Sequence, residues 1–210
     1  MQGKMITIEG PDFSGKSTQA PILAQHLRDR GYDVITMREP GGSVASELMR
    51  SIVLQNKLDV VAEMLIFAAQ RAENLAKVIK PALAAGQIVI ADRFHDSTYA
   101  YQGFGRQKMH DVMQLEAFAL RGFEPDYTLF FDVPYEECLR RQEERRSAVR
   151  KADDHFEQED RRFKDRVYKG YQQRFKANPH RMHRIDGLPE VALVTEQVIA
   201  WANAHFDNIA

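Results

Sequence analysis

The sequence has almost no cysteine, and this scarcity bears on whether disulfides can form and on which compartment the protein occupies. Cys138 is the single cysteine among 210 residues, so a disulfide within the chain is excluded. Disulfides are typical of oxidising compartments, whereas an unpaired thiol fits a reducing one. The first residues lead directly into an apolar, strand-like segment and show no signal-peptide pattern. We therefore expect a cytoplasmic protein.

Long apolar runs and an excess of one charge are also missing. No stretch of 18 or more apolar residues occurs, which excludes a membrane-spanning helix. The formal net charge is −1, so we expect neither nucleic acid nor an anionic membrane as a partner. Apolar residues make up 44% of the chain and charged residues 28%, as in ordinary globular proteins. With no internal repeat or low-complexity linker, residues 1–210 are predicted to form a single domain.

The order of apolar segments predicts the fold class. Helix-period segments separate short apolar runs, most of which lack the alternation of a half-buried strand. This pattern is typical of an α/β fold with a doubly wound, five-stranded parallel sheet and helices on both faces. Such sheets bind ligands at the carboxyl ends of their strands. The predicted strands lie at residues 5–10, 33–38, 87–92, 127–133 and 182–186, and the clearest helices at 60–85, 110–121 and after Pro189.

A phosphate-binding motif joins the first strand to the first helix. Gly10, Gly15, Lys16 and Ser17 complete the pattern G-x-x-x-x-G-K-[ST] in the strand–loop–helix context that it requires. Backbone N–H groups at the start of the helix would hold phosphates, Lys16 would reach the β- and γ-phosphates, and the Ser17 hydroxyl would bind Mg²⁺. The motif predicts binding of a nucleoside triphosphate. The predicted ATP site includes Gly10, Pro11, Asp12, Phe13, Ser14, Gly15, Lys16, Ser17 and Thr18.

Pro21 conflicts with this local pattern. It lies beyond the first helical turn, where its ring and missing N–H interrupt a helix. We expect the helix to kink there or to begin late.

A GTP-dependent switch is the alternative from a different functional class. The segment NKLD at 56–59 matches the guanine-reading pattern N-K-x-D. It begins 40 residues after Lys16, however, and no apolar strand leads into it. We interpret it as a coincidence within a loop. A DNA-dependent ATPase or motor is also disfavoured, because the chain offers no second domain and no basic stripe.

Three further motifs indicate a kinase. REPGG (38–42), EMLIFAAQR (63–71) and DRFHDSTYAYQG (92–103) follow the phosphate loop in this order. Together they resemble thymidylate kinases, P-loop nucleoside monophosphate kinases that make dTDP from dTMP and ATP. The resemblance extends from about residue 5 to 187, and the order and spacing of the motifs make it specific.

The residue types in these motifs suit acceptor recognition. Arg38 ends a strand, where its guanidinium can hold a phosphate. Phe67 and Arg71 are four residues apart and so project from one helix face. Asp92 and Arg93 follow the third strand, beside the phosphate loop of a doubly wound sheet.

The resemblance assigns roles to these residues. It implies that Arg38 and Arg93 hold the dTMP phosphate, Phe67 stacks on thymine, and Arg71 bonds its O4 carbonyl. Thr98 would meet N3, Tyr101 would leave no room for a 2′-hydroxyl, and Gln102 would reach the base edge or the loop acid. Asp12 would accept a bond from the 3′-hydroxyl. The predicted dTMP site comprises Asp12, Arg38, Pro40 (after a cis peptide), Phe67, Arg71, Arg93, Thr98, Tyr101 and Gln102, and the predicted metal site Ser17 and Asp92.

The sequence leaves the role of Asp132 and the exact substrate open. Asp132 fits either a Mg²⁺ ligand or a structural role. The resemblance also implies a homodimer, and the helix at 60–85 is a candidate for its interface. The motifs would be shared by a kinase for dUMP or a 5-substituted dUMP, with Tyr99 and Phe104 helping to set the room near the 5-methyl group.

The segment RRQEERRSAVRK at 140–151 has a local charge of +4. One interpretation is a solvated helix face with i,i+3 and i,i+4 ion pairs. The other is a mobile arginine-bearing LID at about 140–160. Phe13 occupies the position where one branch of the family has a catalytic arginine, which favours the LID as the source of the missing cation. The predicted catalytic residues are Lys16, Arg93, Arg145, Arg146 and Arg150; Arg140 or Arg141 would stack on adenine, and Glu157 and Glu159 would approach the metal or sugar.

Overall fold

One parallel sheet forms the centre of the protein. A computed structural model describes residues 3–148 and 154–207. Each of the five predicted apolar runs forms a strand, and every strand pair is parallel. The strand order is β2-β3-β1-β4-β5, so the strand that leads into the phosphate loop lies in the middle. The strands are β1 Lys4–Glu9, β2 Val34–Arg38, β3 Ile88–Asp92, β4 Tyr127–Asp132 and β5 Met182–Asp186.

Helices connect consecutive strands and cover both faces of the sheet. The segment expected to be helical at 60–85 consists of α3, a π-helical turn at Leu75–Ile79 and α4. A second π-helical stretch, Tyr99–Gly105, follows α5. No helix of the described residues is both long and apolar enough to cross a membrane. The helices are α1 Lys16–Asp29, α2 Val44–Gln55, α3 Val60–Asn74, α4 Lys80–Ala84, α5 His95–Thr98, α6 Met109–Leu120, α7 Tyr135–Ala148, α8 Arg161–Ala177 and α9 Val191–His205.

The two faces of the sheet have separate cores. Ile6 and Ile8 of β1 pack with apolar residues of α1 and α9, including Leu23 and Val198. Met5, on the opposite face of the same strand, packs with residues that include Leu75 of the π-helical turn. Burial of β1, β3 and β4 on both faces explains why these strands lack alternation, and the helices on both faces of the parallel sheet confirm the doubly wound fold.

The expected late start of α1 is wrong. The helix begins at Lys16, directly after Gly15, and Pro21 lies inside it. Pro21 and Ser17 are both exposed. Water can therefore bind the Ser17 carbonyl that has lost its helical N–H partner.

The NKLD segment forms the junction between two helices. Asn56 follows α2, and the Asp59 carboxylate accepts the N–H of Val61 at 2.9 Å to cap α3. Both residues thus have helix-end roles, which agrees with their interpretation as a coincidental match.

Candidate active site

A single cleft of about 910 Å³ at the carboxyl edge of the sheet gathers most of the predicted residues. Its walls come from the phosphate loop, the ends of β2 and β3, the face of α3, and α7. Gly10, Pro11 and Arg146 do not line it, and Arg150 lies outside the described residues. The predicted residues that line the cleft are Asp12, Phe13, Ser14, Gly15, Lys16, Ser17, Thr18, Arg38, Pro40, Phe67, Arg71, Asp92, Arg93, Thr98, Tyr101, Gln102, Arg140, Arg141 and Arg145.

The phosphate loop is closely packed against β4. Gly10 has a φ of 145°, and a Cβ at this position would lie 2.6 Å from the carbonyl oxygen of Phe131. Only glycine fits both constraints. The Lys16 ammonium folds into the loop and donates to the carbonyl oxygen of Pro11 at 2.6 Å and to Ser14 Oγ at 3.3 Å. Burial, assisted by the nearby positive charge of Arg93, lowers the pKa of Lys16 to about 8.

Ser17 and Asp92 lie together at the predicted metal site. The Ser17 hydroxyl donates to Asp92 Oδ2 at 2.7 Å, and Asp92 Oδ1 is buried with no hydrogen-bond partner in the described part of the chain. A hydroxyl beside a carboxylate oxygen with free lone pairs fits Mg²⁺, which typically binds one or two protein oxygens together with phosphates and water. The described residues contain no group of three or more His, Cys, Asp or Glu side chains that could hold a metal without such help.

The Asp12 carboxylate contacts residues that follow β3. It accepts a bond from Arg93 Nη2 at 2.5 Å and from the Tyr101 hydroxyl at 2.6 Å. Loss of solvent tends to raise the pKa of Asp12, but the charges of Arg93 and Lys16 outweigh it and lower that pKa. The loop acid is therefore ionised on the side of the cleft formed by the residues after β3.

Arg93 is held by a strained backbone and a ring of acceptors. Its φ of 75° lies in the left-handed region, which non-glycine residues rarely adopt. Nη1 donates to the carbonyl oxygen of Gly10 at 3.0 Å, to Ser97 Oγ at 3.1 Å and to the Tyr171 hydroxyl at 2.8 Å. Burial tends to lower the pKa of Arg93, but Tyr101, Tyr171 and Asp12 raise it well above its ordinary value. The side chain thus stays charged beside the phosphate loop.

Sequence reasoning missed Glu9, the last residue of β1. The buried carboxylate accepts bonds from Ser97 Oγ at 2.6 Å, from the N–H of Phe94 at 2.7 Å and from the Tyr171 hydroxyl at 3.2 Å. Burial, assisted by the negative charge of Asp96, raises the pKa of Glu9 to about 7. An acid inside an otherwise apolar strand was the signal that could have identified it.

The raised pKa of Glu9 predicts a pH dependence of stability. Glu9 ionises near its ordinary pKa of 4.5 in the unfolded chain but near 7 in the folded one, so the folded state binds more protons between these values. The free energy of unfolding should therefore fall by about 3 kcal/mol as pH rises through this window. Urea unfolding between pH 5 and pH 8 will measure it. Glu9→Gln should flatten this part of the profile, and an unchanged slope would contradict the assignment.

Arg71 lies at the floor of the cleft with all of its N–H groups bonded to protein. Nε and Nη2 donate to Glu39 at 2.9 and 2.8 Å, and Nη2 also reaches the carbonyl oxygen of Phe94 at 3.3 Å. Nη1 donates to Thr98 Oγ1 at 2.7 Å and to Glu116. A bond from Arg71 to a base carbonyl therefore requires one of these five contacts to be exchanged. Sequence reasoning identified neither Glu39 nor Glu116 as a partner.

The remaining acceptor-side residues differ in how directly they face the cleft. The Glu39–Pro40 peptide is cis, as expected. Arg38 is exposed and pairs with Glu47 at 2.9 Å. Gln102 lines the cleft, but its amide donates to the buried carboxylate of Glu63 at 2.8 Å.

Asp132 and Tyr99 lie outside the cleft lining and contact other protein side chains. Asp132 accepts bonds from the Tyr168 hydroxyl at 2.8 Å and from Arg184 Nε at 2.6 Å. The guanidinium of Arg174 lies 4.0 Å from the centre of the Tyr99 ring. Of the two interpretations left open for Asp132, the structural one thus agrees with its contacts.

The arginines of α7 differ in their contacts. Arg140 is an exposed residue of α7 that pairs with Glu137 at 2.7 Å and Glu144 at 2.5 Å, as on a solvated helix face. Arg141 instead turns inward and donates to the carbonyl oxygen of Gly187 at 2.7 Å.

Arg145 lies against the phosphate loop. Its guanidinium carbon is 5.5 Å from the centre of the Phe13 ring, and Nη1 is 3.5 Å from Glu157 Oε1. An arginine from α7 therefore lies over the position that lacks one in the loop itself. Glu159 contacts Arg106 rather than the cleft.

Comparison with known proteins supports the resemblance. The family model described as Thymidylate kinase matches residues 8–198. A thymidylate kinase of Exiguobacterium sp. is 38% identical over 203 residues, covering 95% of this chain and 93% of the relative. One of Thiobacillus denitrificans is 43% identical over 199 residues, covering 94% and 95%. The crystal structure of thymidylate kinase from Ehrlichia chaffeensis superposes with a TM-score of 0.77 at 34% identity, covering 96% of this chain and 98% of that one.

Proposed function

This chain belongs to the thymidylate kinase family and is a nucleoside monophosphate kinase, and on that premise we propose the reaction of its cleft. The γ-phosphoryl group of ATP passes reversibly to dTMP, giving ADP and dTDP for dTTP synthesis. One observation carries the proposal: Asp12, inside the phosphate loop, bonds Arg93 and Tyr101. The cleft thus joins a triphosphate cradle directly to a second, acceptor-facing site.

The donor half is the phosphate loop and the start of α1. Backbone N–H groups at this helix end bind the phosphates of ATP, and Lys16 exchanges the Pro11 carbonyl for the β- and γ-phosphates. Arg141, which donates to the carbonyl oxygen of Gly187 in the cleft lining, stacks on the adenine in this proposal.

The chemistry of Ser17 and Asp92 supports a Mg²⁺ requirement. When bound, Mg²⁺ neutralises phosphate charge during transfer. The Ser17 hydroxyl, 2.7 Å from Asp92 Oδ2, would bind the ion, and Asp92 would hold its water shell.

The acceptor half lies along α3 and the residues after β3. Arg38 and Arg93 hold the phosphate of dTMP, and Phe67 lies beside the base. Tyr101 and Asp12 face the sugar, with the Asp12 carboxylate retaining lone pairs for the 3′-hydroxyl. Arg71 reads the base by exchanging one of its protein contacts, or it acts by fixing Thr98, whose hydroxyl faces N3.

Phosphoryl transfer in this site is electrostatic. The attacking oxygen of dTMP is already anionic, so no general base is needed, and cations over the transferring group lower the barrier. Lys16, Arg93 and Arg145 supply these cations. The segment at about 140–160 acts as a LID that covers ATP when both substrates are bound.

A coupled assay of ADP release tests the reaction. Purified protein with ATP and Mg²⁺ is given dTMP, dUMP, 5-hydroxymethyl-dUMP, dCMP, UMP and dGMP in turn. We expect the highest kcat/KM with dTMP. Absence of turnover with every monophosphate, together with GTP-selective binding, would identify a nucleotide-dependent switch instead.

Preference for dUMP or a 5-substituted dUMP is the alternative that the same assay decides. Tyr99 and Phe104, expected to bound the space near the 5-methyl group, are not among the residues that line the cleft. They therefore do not exclude a larger 5-substituent.

A homodimer is supported by exposed apolar side chains on neighbouring helices. They lie on α2, α3 and α6, and α3 contacts both of the others. Large exposed apolar residues on adjacent helices are typical of association surfaces. The residues are Val44, Leu48 and Ile52 of α2, Val61 and Leu65 of α3, and Met113 and Phe118 of α6. The single domain over 1–210 and the cytoplasmic location stay predictions.

Leu65→Glu should weaken this dimer by about 100-fold or more, because it places an unpaired carboxylate in an apolar interface. Sedimentation velocity over a range of protein concentrations will measure the change. Leu193→Glu is the matched control, since Leu193 is exposed on α9 against the other face of the sheet. Equal dissociation constants for the two variants would place the interface elsewhere.

A further inference from the structure

A buried carboxylate of α3, Glu63, lies outside the mechanism described above. It is 1% exposed and is not among the cleft-lining residues. Gln102 Nε2 donates to Oε1 at 2.8 Å, and Arg106 donates from Nε and Nη2 at 3.4 and 3.2 Å. Glu63 therefore fixes Arg106 at the end of the π-helical stretch that carries acceptor-side residues.

Arg106 extends from this buried anchor to the residues that lead into α8. Its Nη1 donates to Glu159 Oε1 at 2.5 Å. The guanidinium carbon also lies 4.6 Å from the ring centre of Phe163 and 5.7 Å from that of Phe156. We call residues 154–160 the return segment. Arg106 contacts this segment through the ion pair with Glu159 and through the ring of Phe156, and it contacts α8 through the ring of Phe163.

The return segment carries residues that face the cleft. The Phe156 ring packs 6.0 Å from Phe67 and 5.9 Å from Tyr101, centre to centre. Glu157, the next residue, contacts Arg145 at 3.5 Å. The acceptor wall and the α7 arginine are thus connected to the same short segment, and Arg106 is one of the residues that hold it.

We propose that the Arg106–Glu159 pair positions Arg145 for phosphoryl transfer, by fixing the return segment so that Glu157 holds Arg145 over the phosphate loop. This inference rests on the proposed kinase reaction. Neither Arg106 nor Glu159 is among the residues that line the cleft. They contribute by positioning Arg145, because a small displacement of a catalytic charged group lowers the rate of the chemical step.

Glu159→Ala tests the proposal without leaving a buried charge unpaired, because Arg106 keeps Glu63 as its partner. We expect kcat for dTMP phosphorylation to fall by about tenfold, with KM for ATP changed by less than about threefold. Glu143→Ala is the matched control: it removes the same charge from an exposed position of α7 outside the cleft lining. It should leave kcat unchanged. A thermal melt checks that Glu159→Ala remains folded at the assay temperature.

A double-mutant cycle separates positioning from a structural role. If Glu159 acts through Arg145, then Glu159→Ala should lower kcat by less than about twofold in an Arg145→Ala background. A full tenfold loss in that background, or an unchanged kcat for Glu159→Ala alone, overturns the proposal. Failure of the wild-type protein to phosphorylate dTMP would instead refute the proposed function.

Discussion

Replacing Arg145 with alanine is expected to lower kcat for dTMP phosphorylation by about 10³-fold, the effect of removing one transition-state arginine. The guanidinium lies over Phe13, where the loop has no cation of its own, so the substitution removes charge next to the transferring group. KM for dTMP should change by less than about threefold, because Arg145 does not lie among the acceptor residues. Steady-state kinetics with each substrate varied in turn will measure both constants.

The control for this prediction is Arg161→Ala, which removes an exposed arginine of α8 that pairs with Glu136. It should retain wild-type kcat. Arg146→Ala and Arg150→Ala complete the set, Arg146 being exposed outside the cleft lining and Arg150 lying outside the described residues. Should neither Arg145→Ala nor Arg150→Ala lower kcat by tenfold, the arginine-bearing LID has no catalytic role.

Lys16→Ala should also lower kcat by about 10³-fold, because it deletes the cation closest to the β- and γ-phosphates as charge develops there. Lys80→Ala, on the exposed surface of α4, removes the same charge and should have no effect. Single-turnover rates at saturating ATP will separate the chemical step from weakened binding. A rise in KM for ATP with no fall in kcat would show that Lys16 acts in ground-state binding only.

The lowered pKa of Lys16 adds a pH test of the same assignment. The ammonium form binds phosphate, and the free protein loses this proton as pH rises through about 8. Hence kcat/KM for ATP should fall above that pH, since this constant reports ionisations of the free enzyme. Lys16→Ala should lose this limb of the profile. If the variant keeps it, another group is responsible.

The strands and most helices were predictable because local patterns determine them. Apolar runs such as 87–92 have no stable exposed conformation, and their burial on both faces requires a parallel sheet covered by helices. The late start expected from Pro21 was wrong because the sequence shows the missing N–H but not the exposed helix side on which it falls. The phosphate loop was predictable for a different reason. Its glycines and lysine form a contiguous motif whose backbone alone makes the binding site.

Partners distant in sequence could not be predicted in the same way. Arg71 was identified as a site residue, yet its contacts with Glu39 and Glu116 span 32 and 45 positions of the chain. Glu9 and Glu63 gave only a weak signal, an acid within an apolar segment. Their functions depend on which donors the fold brings to them, and several acids in the chain would have matched an equally weak pattern.

The sequence by itself determined that this chain binds a nucleoside triphosphate, and that its motifs are those of a thymidylate kinase. Both conclusions rest on short contiguous motifs, which can be interpreted before the fold is known. Only the tertiary structure decided that Asp12 faces Arg93 and Tyr101, and that Arg145 rather than Arg140 lies over Phe13. From the sequence, several arginines of α7 are equally good candidates for the residue that faces the phosphate loop. Which one reaches the phosphates depends on how α7 and the return segment pack across the cleft, and that packing is set by contacts far apart in the chain.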